Sequence, residues 1–147
     1  MRTQTDPDTA ALEDLDRDEC LKLVATMSVG RIAVADDGDG PLVVPVNYVM
    51  DDDVVVFRTG AGSKLHAMRG NKPVSFQVDL IDPFHHTGWS VLIRGLAYGA
   101  LDHDVAHLEL ATWAPGDKHH WIRVLPTSMT GRRIGLNDGP WNAAAYL

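Results

Sequence analysis

Residues Val54–Leu65 read VVVFRTGAGSKL, which is the most informative local pattern in the chain. The first half, VVVFR, is a β-branched and aromatic run that predicts a strand. Gly60 and Gly62 follow it, and they predict a loop whose backbone can approach a ligand closely. Residues 63–70, SKLHAMRG, then predict a short helix that begins at Ser63 and ends on a glycine. The pattern therefore predicts a strand, a tight loop and a helix start in direct succession.

The same loop concentrates groups that bind anions. Arg58 offers a planar guanidinium and Lys64 a point charge, and both suit a phosphate. Thr59 and Ser63 add hydroxyl donors, and a helix start at Ser63 would add free N–H groups. The loop is not a P-loop, because the GxxxxGK[ST] pattern is absent. Composition alone leaves two interpretations open: a phosphate site, or a solvated turn with a capping serine.

Short strands lie on both sides of this loop. Turn-forming residues at 36–41 and 51–53 separate the first three strands, so we expect antiparallel hairpins. The predicted strands are Val29–Ala35, Leu42–Met50, Val54–Arg58, Pro73–Ile81, Trp89–Leu101 and Trp121–Leu125. This succession predicts a mainly β fold, a six-stranded antiparallel barrel with helices packed outside.

Two longer helices and one flexible segment complete the prediction. Residues 1–14 should form a flexible N-terminal arm, and 15–147 a single domain. Asp16 and Glu19 have the spacing of a capping box, and the apolar residues that follow recur at helical spacing. We therefore expect a helix over about 16–28. The segment Asp102–Trp113 is predicted to form a second helix.

Bulk properties exclude several classes of protein. The 147 residues carry a formal net charge of −7, which argues against binding nucleic acid through its phosphates. No signal peptide or membrane-spanning run is visible. The single cysteine, Cys20, cannot form an intramolecular disulfide. These features predict a cytoplasmic protein with no membrane or nucleic-acid partner.

Two residues inside predicted strands, Pro45 and Arg94, are unusual in a strand and restrict where it can lie. Pro45 lacks an N–H group, so it should lie at a sheet edge or a bulge. Such a position is either a plain edge or a place where a ligand binds backbone groups. Arg94 interrupts the apolar run VLIRG, and it must be paired, reach an edge or contact an anion.

The histidines give no metal site. His103 and His107 have the spacing of a helical metal pair, but no third ligand accompanies them, so no metal is expected. His85 and His86 lie in a loop ahead of Trp89. They either border a substrate entrance or are simply solvated.

Four segments together resemble a known superfamily: LVVPVNYVM, VVVFRTGAGSKL, NKPVSFQVD and GWSVLIRGLAYG. In this order they are similar to the flavin-binding split barrels. More narrowly, they resemble the small actinobacterial proteins grouped with pyridoxamine 5′-phosphate oxidase, and the nitroimidazole reductases of that group. The resemblance covers about Val29 to Gly99. It implies an FMN-binding split barrel, and a homodimer with the cofactor at its interface.

The resemblance also implies which residues hold the cofactor. One strand would run its backbone along the isoalloxazine ring, and the glycine loop would hold the FMN phosphate. A further strand would contact the ribityl chain or the ring, and another would reach the cofactor from the second subunit. The strand along the ring carries Pro45, Val46 and Asn47, and the loop at the phosphate carries Arg58, Thr59, Ser63 and Lys64. Gln77 would contact the ribityl chain or the ring. Trp89 and Ser90 would reach the cofactor from the second subunit.

The function implied is that of an FMN-dependent oxidoreductase with a small-molecule substrate. Small planar electron-poor acceptors, such as nitroaromatics or quinones, follow by analogy. No general acid or base is identified, so catalytic residues stay unassigned. Arg132 and Arg133 do not align with the substrate-gripping segment of pyridoxamine phosphate oxidases, so vitamin B6 oxidation is not implied. The alternatives are an F420-dependent reductase and a non-catalytic flavin- or haem-binding protein.

Overall fold

The protein, here a computed structural model, consists mainly of antiparallel β-strands. The structure describes residues 11–36, 38–62, 68 and 71–135. Within these residues it contains seven strands and two short helices. The elements are β1 Ala11–Leu15, α1 Arg17–Val24, β2 Val29–Asp36, β3 Gly40–Asp51, β4 Val54–Thr59, β5 Pro73–Asp82, β6 Thr87–Gly99, α2 Asp102–Val105 and β7 His120–Gly135. The predicted mainly β barrel is confirmed, with seven strands instead of six.

Strand β7 closes the sheet into a barrel. The strand order is β1-β7-β4-β3-β2-β5-β6, and β7 pairs with β6 as well. The beginning of β7 pairs with β4 on one side, from His120 to Val124. On its other side it pairs with β6 from Ile122 to Ile134. One long strand therefore joins the two ends of the sheet.

The sequence prediction was wrong about both ends of the described chain. Residues 11–14, assigned to a flexible arm, belong to β1, which pairs with the end of β7. Strand β7 extends to Gly135, whereas Trp121–Leu125 was predicted. The sequence after Leu125 begins with Pro126 and Thr127, which looks like a strand end. In the structure it is a bulge, because the β6–β7 register shifts between Arg94 and Gly95.

The helices are shorter than predicted. Helix α1 begins after Asp16, whose carboxylate accepts the Glu19 N–H at 2.9 Å, as the capping pattern predicts. It ends at Val24 and not near residue 28. The predicted helix over Asp102–Trp113 is wrong, because only Asp102–Val105 is helical. The 106–119 segment is irregular and is held by tertiary hydrogen bonds instead. The helix predicted over 63–70 lies outside the described residues, apart from Met68.

The barrel interior is apolar and tightly filled. Alternate residues of each strand point inward, so one side chain in two joins the core. Its fully buried members include Ile32, Phe57, Phe76, Ile93 and Val124, each 0% exposed. A smaller cluster of Val54, Val56 and Val105 lies apart from this main core.

Tyr48 connects the barrel to helix α1. Its hydroxyl donates a hydrogen bond to the carbonyl oxygen of Val24, at the end of the helix. Its ring packs edge-on against Phe76, with the ring centroids 4.8 Å apart. Burial raises the pKa of the Tyr48 phenol, so the group stays protonated as a donor.

We expect Tyr48→Phe to lower the free energy of unfolding by about 1 kcal/mol, because the Val24 carbonyl loses a buried partner. The melting temperature should fall by about 3 °C. Tyr98→Phe is a matched control, because no hydrogen bond to the Tyr98 hydroxyl is found within the described residues. Equal losses in the two variants, measured by thermal unfolding, would contradict the role given to Tyr48.

Cys20 is fully buried, and its environment disfavours the thiolate. Burial raises its pKa above 9.0, and the neighbouring carboxylates of Asp16 and Glu19 raise it further. Because the folded pKa is the higher one, this group stabilises the fold below the unfolded pKa. The contribution is lost as the pH rises through the folded pKa.

The Cys20 thiol should therefore react with a disulfide reagent only through unfolding. At pH 8 we expect slow labelling of the native protein and rapid labelling in denaturant. A native labelling rate close to that of the denatured chain would show that the thiol is accessible.

Candidate functional site

Within the described residues, strand β3 has an open edge along its first half. Pairing with β2 runs from Gly40 to Asn47, whereas pairing with β4 begins only at Tyr48. The Tyr48 N–H donates to the Ser28 carbonyl oxygen at 3.2 Å, which fixes the alternation of backbone groups. The N–H groups of Val43 and Asn47 accordingly point away from β2, to the side that β4 leaves uncovered.

Two prolines fall in the same outward register. Pro41 lies two residues before Val43, and Pro45 lies two residues from both Val43 and Asn47, so each proline occupies a position whose N–H would point outward. The missing N–H groups cost no ladder hydrogen bond, and the edge cannot accept a full additional strand. The prediction that Pro45 lies at a sheet edge is confirmed. Outward N–H and C=O groups remain for a ligand.

The side chain of Asn47 holds the neighbouring segment in place. Its amide oxygen accepts the Trp113 N–H at 2.8 Å, and its nitrogen donates to the Ser28 carbonyl oxygen at 3.4 Å. Val46, the residue between Pro45 and Asn47, points into the core and is 5% exposed. The Val46 side chain is therefore not available to a ligand on the outer face, and its N–H and C=O groups point to β2.

A polar network lies on the outer face beside this edge. Pro45, Arg31 and Gln77 are directly opposite one another on β3, β2 and β5, so their side chains share one face. The Gln77 amide nitrogen donates to Asp79 at 2.8 Å, and its oxygen accepts from Arg31 at 3.5 Å. Arg31 also lies 3.8 Å from the Asp79 carboxylate.

Arg31 and Asp79 were not among the residues predicted from the sequence. The signal that could have found them is the alternation of VGRIAVA and PVSFQVD. In PVSFQVD the polar residues Ser75, Gln77 and Asp79 fall at every second position, and in VGRIAVA Arg31 lies between two buried residues, so both runs indicate an outer polar face. Because the three side chains bond to one another, the Gln77 amide is held in a fixed orientation.

Arg58 does not present a free guanidinium to a phosphate. Its Nε donates to the Lys118 carbonyl oxygen at 3.0 Å and its Nη1 to that of Leu110 at 3.1 Å. The guanidinium also stacks over the Trp121 ring, 5.0 Å from its centroid. The side chain predicted to bind phosphate thus fastens the 106–119 segment to the barrel, and Nη2 is what remains for a ligand.

The rest of the predicted phosphate loop is only partly described. Thr59 is 2% exposed, and its hydroxyl donates to the Gly60 carbonyl oxygen at 3.3 Å. Ser63 and Lys64 lie outside the described residues. The prediction that these four residues hold a phosphate stays a prediction.

Trp89 and Ser90 point to opposite sides of β6. The Trp89 indole is in the barrel core and is 2% exposed, so its side chain cannot contact a ligand on the outer face. Ser90 is directly opposite Asp79 and shares its face. It borders a cavity of about 530 Å³ next to Leu92 and Arg132. The outer face thus carries Pro45, Asn47, Gln77 and Ser90 together.

Several histidines of the described region contact carboxylates in turns or at the ends of other elements. His85 lies in the β5–β6 turn, where its Nδ1 is 2.6 Å from the Asp82 carboxylate. Hydrogen bonds from the side chain and backbone of His85 lower the pKa of Asp82. His107 contacts Asp51 at 3.1 Å, and His103 contacts Asp104 at 3.3 Å. The helical spacing of His103 and His107 is not realised, because α2 ends at Val105.

Replacing Arg58 tests whether it holds the 106–119 segment. Arg58→Ala should lower the free energy of unfolding by about 2 kcal/mol, because two half-buried carbonyls lose their donor. Arg58→Lys should be nearly as destabilising, since lysine keeps the charge but not the planar fork. Amide exchange should accelerate selectively between residues 106 and 119.

A contrary result would be an Arg58→Lys variant as stable as the unmodified protein, with unchanged amide exchange. Charge alone would then be the relevant property of Arg58, as a phosphate ligand requires.

The family model and the similar proteins all indicate the same family. The family model described as pyridoxamine 5′-phosphate oxidase matches residues 16–133. The uncharacterized protein Rv0080 of Mycobacterium tuberculosis is 33% identical over 129 residues, which cover 82% of this chain and 84% of that protein.

Two solved structures agree in fold and sequence. One is a Corynebacterium glutamicum protein that carries the pyridoxamine 5′-phosphate oxidase name. It is 31% identical, covers 84% of this chain and 98% of its own, and has a TM-score of 0.71. The other is described as the FAD binding protein of Mycobacterium smegmatis. It is 34% identical with the same coverage and a TM-score of 0.64.

Proposed function

The chain belongs to the pyridoxamine 5′-phosphate oxidase family, and we propose that it is a flavin-dependent oxidoreductase acting on a small molecule. The observation that carries the proposal is the open edge of β3 beside the network of Arg31, Gln77 and Asp79. A bound flavin would supply the redox chemistry. The residues of the chain would bind the ring, orient it and set its hydrogen bonds.

The groups on the outer face fit the polar edge of an isoalloxazine ring. That edge alternates hydrogen-bond acceptors with one N–H donor, so a matching surface needs both donors and acceptors. The outward N–H groups of Val43 and Asn47 are donors, and the carbonyl groups beside them are acceptors. The Arg31 guanidinium and the fixed Gln77 amide add further donors.

FMN is the form of flavin that the sequence favours. Ser63, Lys64 and the remaining nitrogen of Arg58 would hold its phosphate, as the resemblance implies. FAD is the second candidate, because the Mycobacterium smegmatis protein, 34% identical to this chain, is described as FAD binding. Both forms share the ring, so the role proposed for β3 is the same for either.

We also propose that two copies of the chain enclose the flavin. One protomer covers the ring from the side of β3, which leaves the opposite side of the ring open. The outer face also carries an exposed apolar side chain, Val43, at 57% exposure. A partner subunit would cover this side chain and complete the pocket.

The substrate class follows from the shape of such a site. A flat ring enclosed between two protein surfaces suits small planar electron-poor acceptors, such as nitroaromatics or quinones. The single cysteine of the chain suits a reducing compartment such as the cytoplasm. No helix in the described part of the chain is long and apolar enough to cross a membrane.

Flavin titration of an Arg31→Ala variant tests the proposal. Loss of a charge-assisted hydrogen bond should weaken FMN binding about tenfold or more. Arg17→Ala is the matched control, because Arg17 is equally exposed and also contacts a carboxylate, that of Asp53 at 2.9 Å. Binding is measured by the quenching of flavin fluorescence, with FMN, FAD and F420 titrated separately.

Each outcome has a defined meaning. Tight FMN or FAD binding that Arg31→Ala weakens and Arg17→Ala does not supports the proposal. Tight F420 binding with both flavins ignored would move the protein to the deazaflavin-dependent reductases. Equal flavin affinity in both variants would remove the outer-face network from the site.

A further inference from the structure

A second cavity lies on the outer face, one row of residues beyond Arg31 and Gln77. Its volume is about 600 Å³. Ala33 follows Arg31 by two residues on β2, and Ser75 precedes Gln77 by two residues on β5, so the two rows are about 7 Å apart. None of the described residues predicted to hold the cofactor lines this cavity.

The cavity walls are mostly apolar and include one cation. Its polar side chains are two hydroxyl-bearing residues, Ser75 and Thr127, and one arginine, Arg94. No carboxylate among the described residues lines it, although the chain has 20 acidic residues against 13 basic ones. The apolar walls on the outer face come from Ala33, Ala35, Pro41, Pro73 and Leu96.

Arg94 shares with Arg123 the lack of a carboxylate partner among the described residues; the Nε of Arg123 is buried, whereas the Arg94 side chain is exposed. Arg17, Arg31, Arg132 and Arg133 each contact a carboxylate, and Arg58 donates to two carbonyls. The Arg94 guanidinium has no such partner among the described residues. Its cross-strand neighbours are Ser75 and Ser128, which carry hydroxyl groups and no charge.

The backbone around Arg94 is shaped by the β-bulge. The register between β6 and β7 shifts at Arg94 and Gly95, and Thr127 is the extra residue on β7. The Thr127 hydroxyl donates to the Arg94 carbonyl oxygen at 3.2 Å, which fixes the strand at this point. A side chain on Gly95 would clash, because its Cβ would lie 2.2 Å from the Leu125 carbonyl oxygen. The bulge therefore sets the position from which the arginine projects.

We propose that this cavity binds a small amphipathic anion, with the charged head on Arg94 and the apolar body against the alanine and proline walls. An unpaired guanidinium favours a carboxylate or a phosphate, with which it can form two parallel hydrogen bonds. Within the described region, no lining carboxylate competes for the guanidinium. This proposal does not depend on the flavin site.

The test uses the full-length protein as purified, with octanoate, octyl phosphate and inorganic phosphate as probes in calorimetric titrations. Arg94→Ala should weaken octanoate and octyl phosphate binding about tenfold to a hundredfold, as expected for a lost charge-assisted pair. Arg17→Ala, an exposed arginine outside the cavity, should leave both affinities unchanged. Ala35→Phe should also weaken both alkyl ligands, because it fills the apolar part.

Three results would overturn the proposal. One is the absence of octanoate and octyl phosphate binding at millimolar concentration. Another is equal affinity of the unmodified protein and Arg94→Ala for them. The third is inorganic phosphate binding as tightly as octyl phosphate, since the apolar walls would then contribute nothing. If no anion binds and Arg94→Ala instead shifts the sedimentation coefficient, the cavity is a contact between two copies of the chain, and the proposal is wrong.

Discussion

The candidate site depends on one edge of β3, with which no described strand pairs along the first half of β3. Elsewhere in the barrel, β7 pairs with β4, β6 and β1, so that backbone N–H and C=O groups there bond to neighbouring strands. Pairing between β3 and β4 stops at Tyr48, and Pro41 and Pro45 occupy outward positions beyond it. The edge is thus protected from adding a strand while it keeps its N–H groups at Val43 and Asn47. A ligand that alternates donors and acceptors can use such an edge, and an extended peptide cannot.

The position of this edge is stabilised by side chains that do not face it. Tyr48 fastens β3 to the end of α1 through the Val24 carbonyl. Asn47 and Arg58 hold the 106–119 segment from two sides, through the Trp113 N–H and through the carbonyls of Leu110 and Lys118. The segment has little regular structure of its own, so its placement depends on these few polar contacts. A loss of binding after replacing Arg58 therefore has two possible causes, a lost phosphate contact or a displaced segment, and stability must be measured alongside affinity.

The sequence predicted the barrel because its strands are β-branched and apolar runs separated by turn residues. It failed where local patterns do not decide the structure. The sequence DHDVAHLELATW looks helical, yet the segment after Val105 is held by Arg58 and Asn47, which are distant in sequence. Pro126 and Thr127 suggest a strand end, but a bulge accommodates them because β6 continues alongside.

For the candidate site, the backbone predictions were the reliable ones. The chemistry of proline restricted Pro45 to an edge or a bulge, and the strand pairing places it at an edge. Arg58 shows the limit, since its charge is visible in the sequence but its carbonyl partners on the 106–119 segment are not. Arg31 and Asp79 could have been found from alternation alone. Trp89 lies on strand β6 as predicted, yet its side chain points into the core. Neighbouring residues of a strand point to opposite faces, so Ser90 is the one on the outer face.

The most direct test of this account is to follow the backbone amide resonances of the protein by NMR as FMN is added. If the open edge of β3 receives the flavin ring, the N–H resonances of Val43 and Asn47 should shift first. Those of Val44 and Val46, which point to β2, should shift much less. Saturable FMN binding with the Val43 and Asn47 resonances unchanged would contradict the account, because the flavin would then lie elsewhere on the barrel.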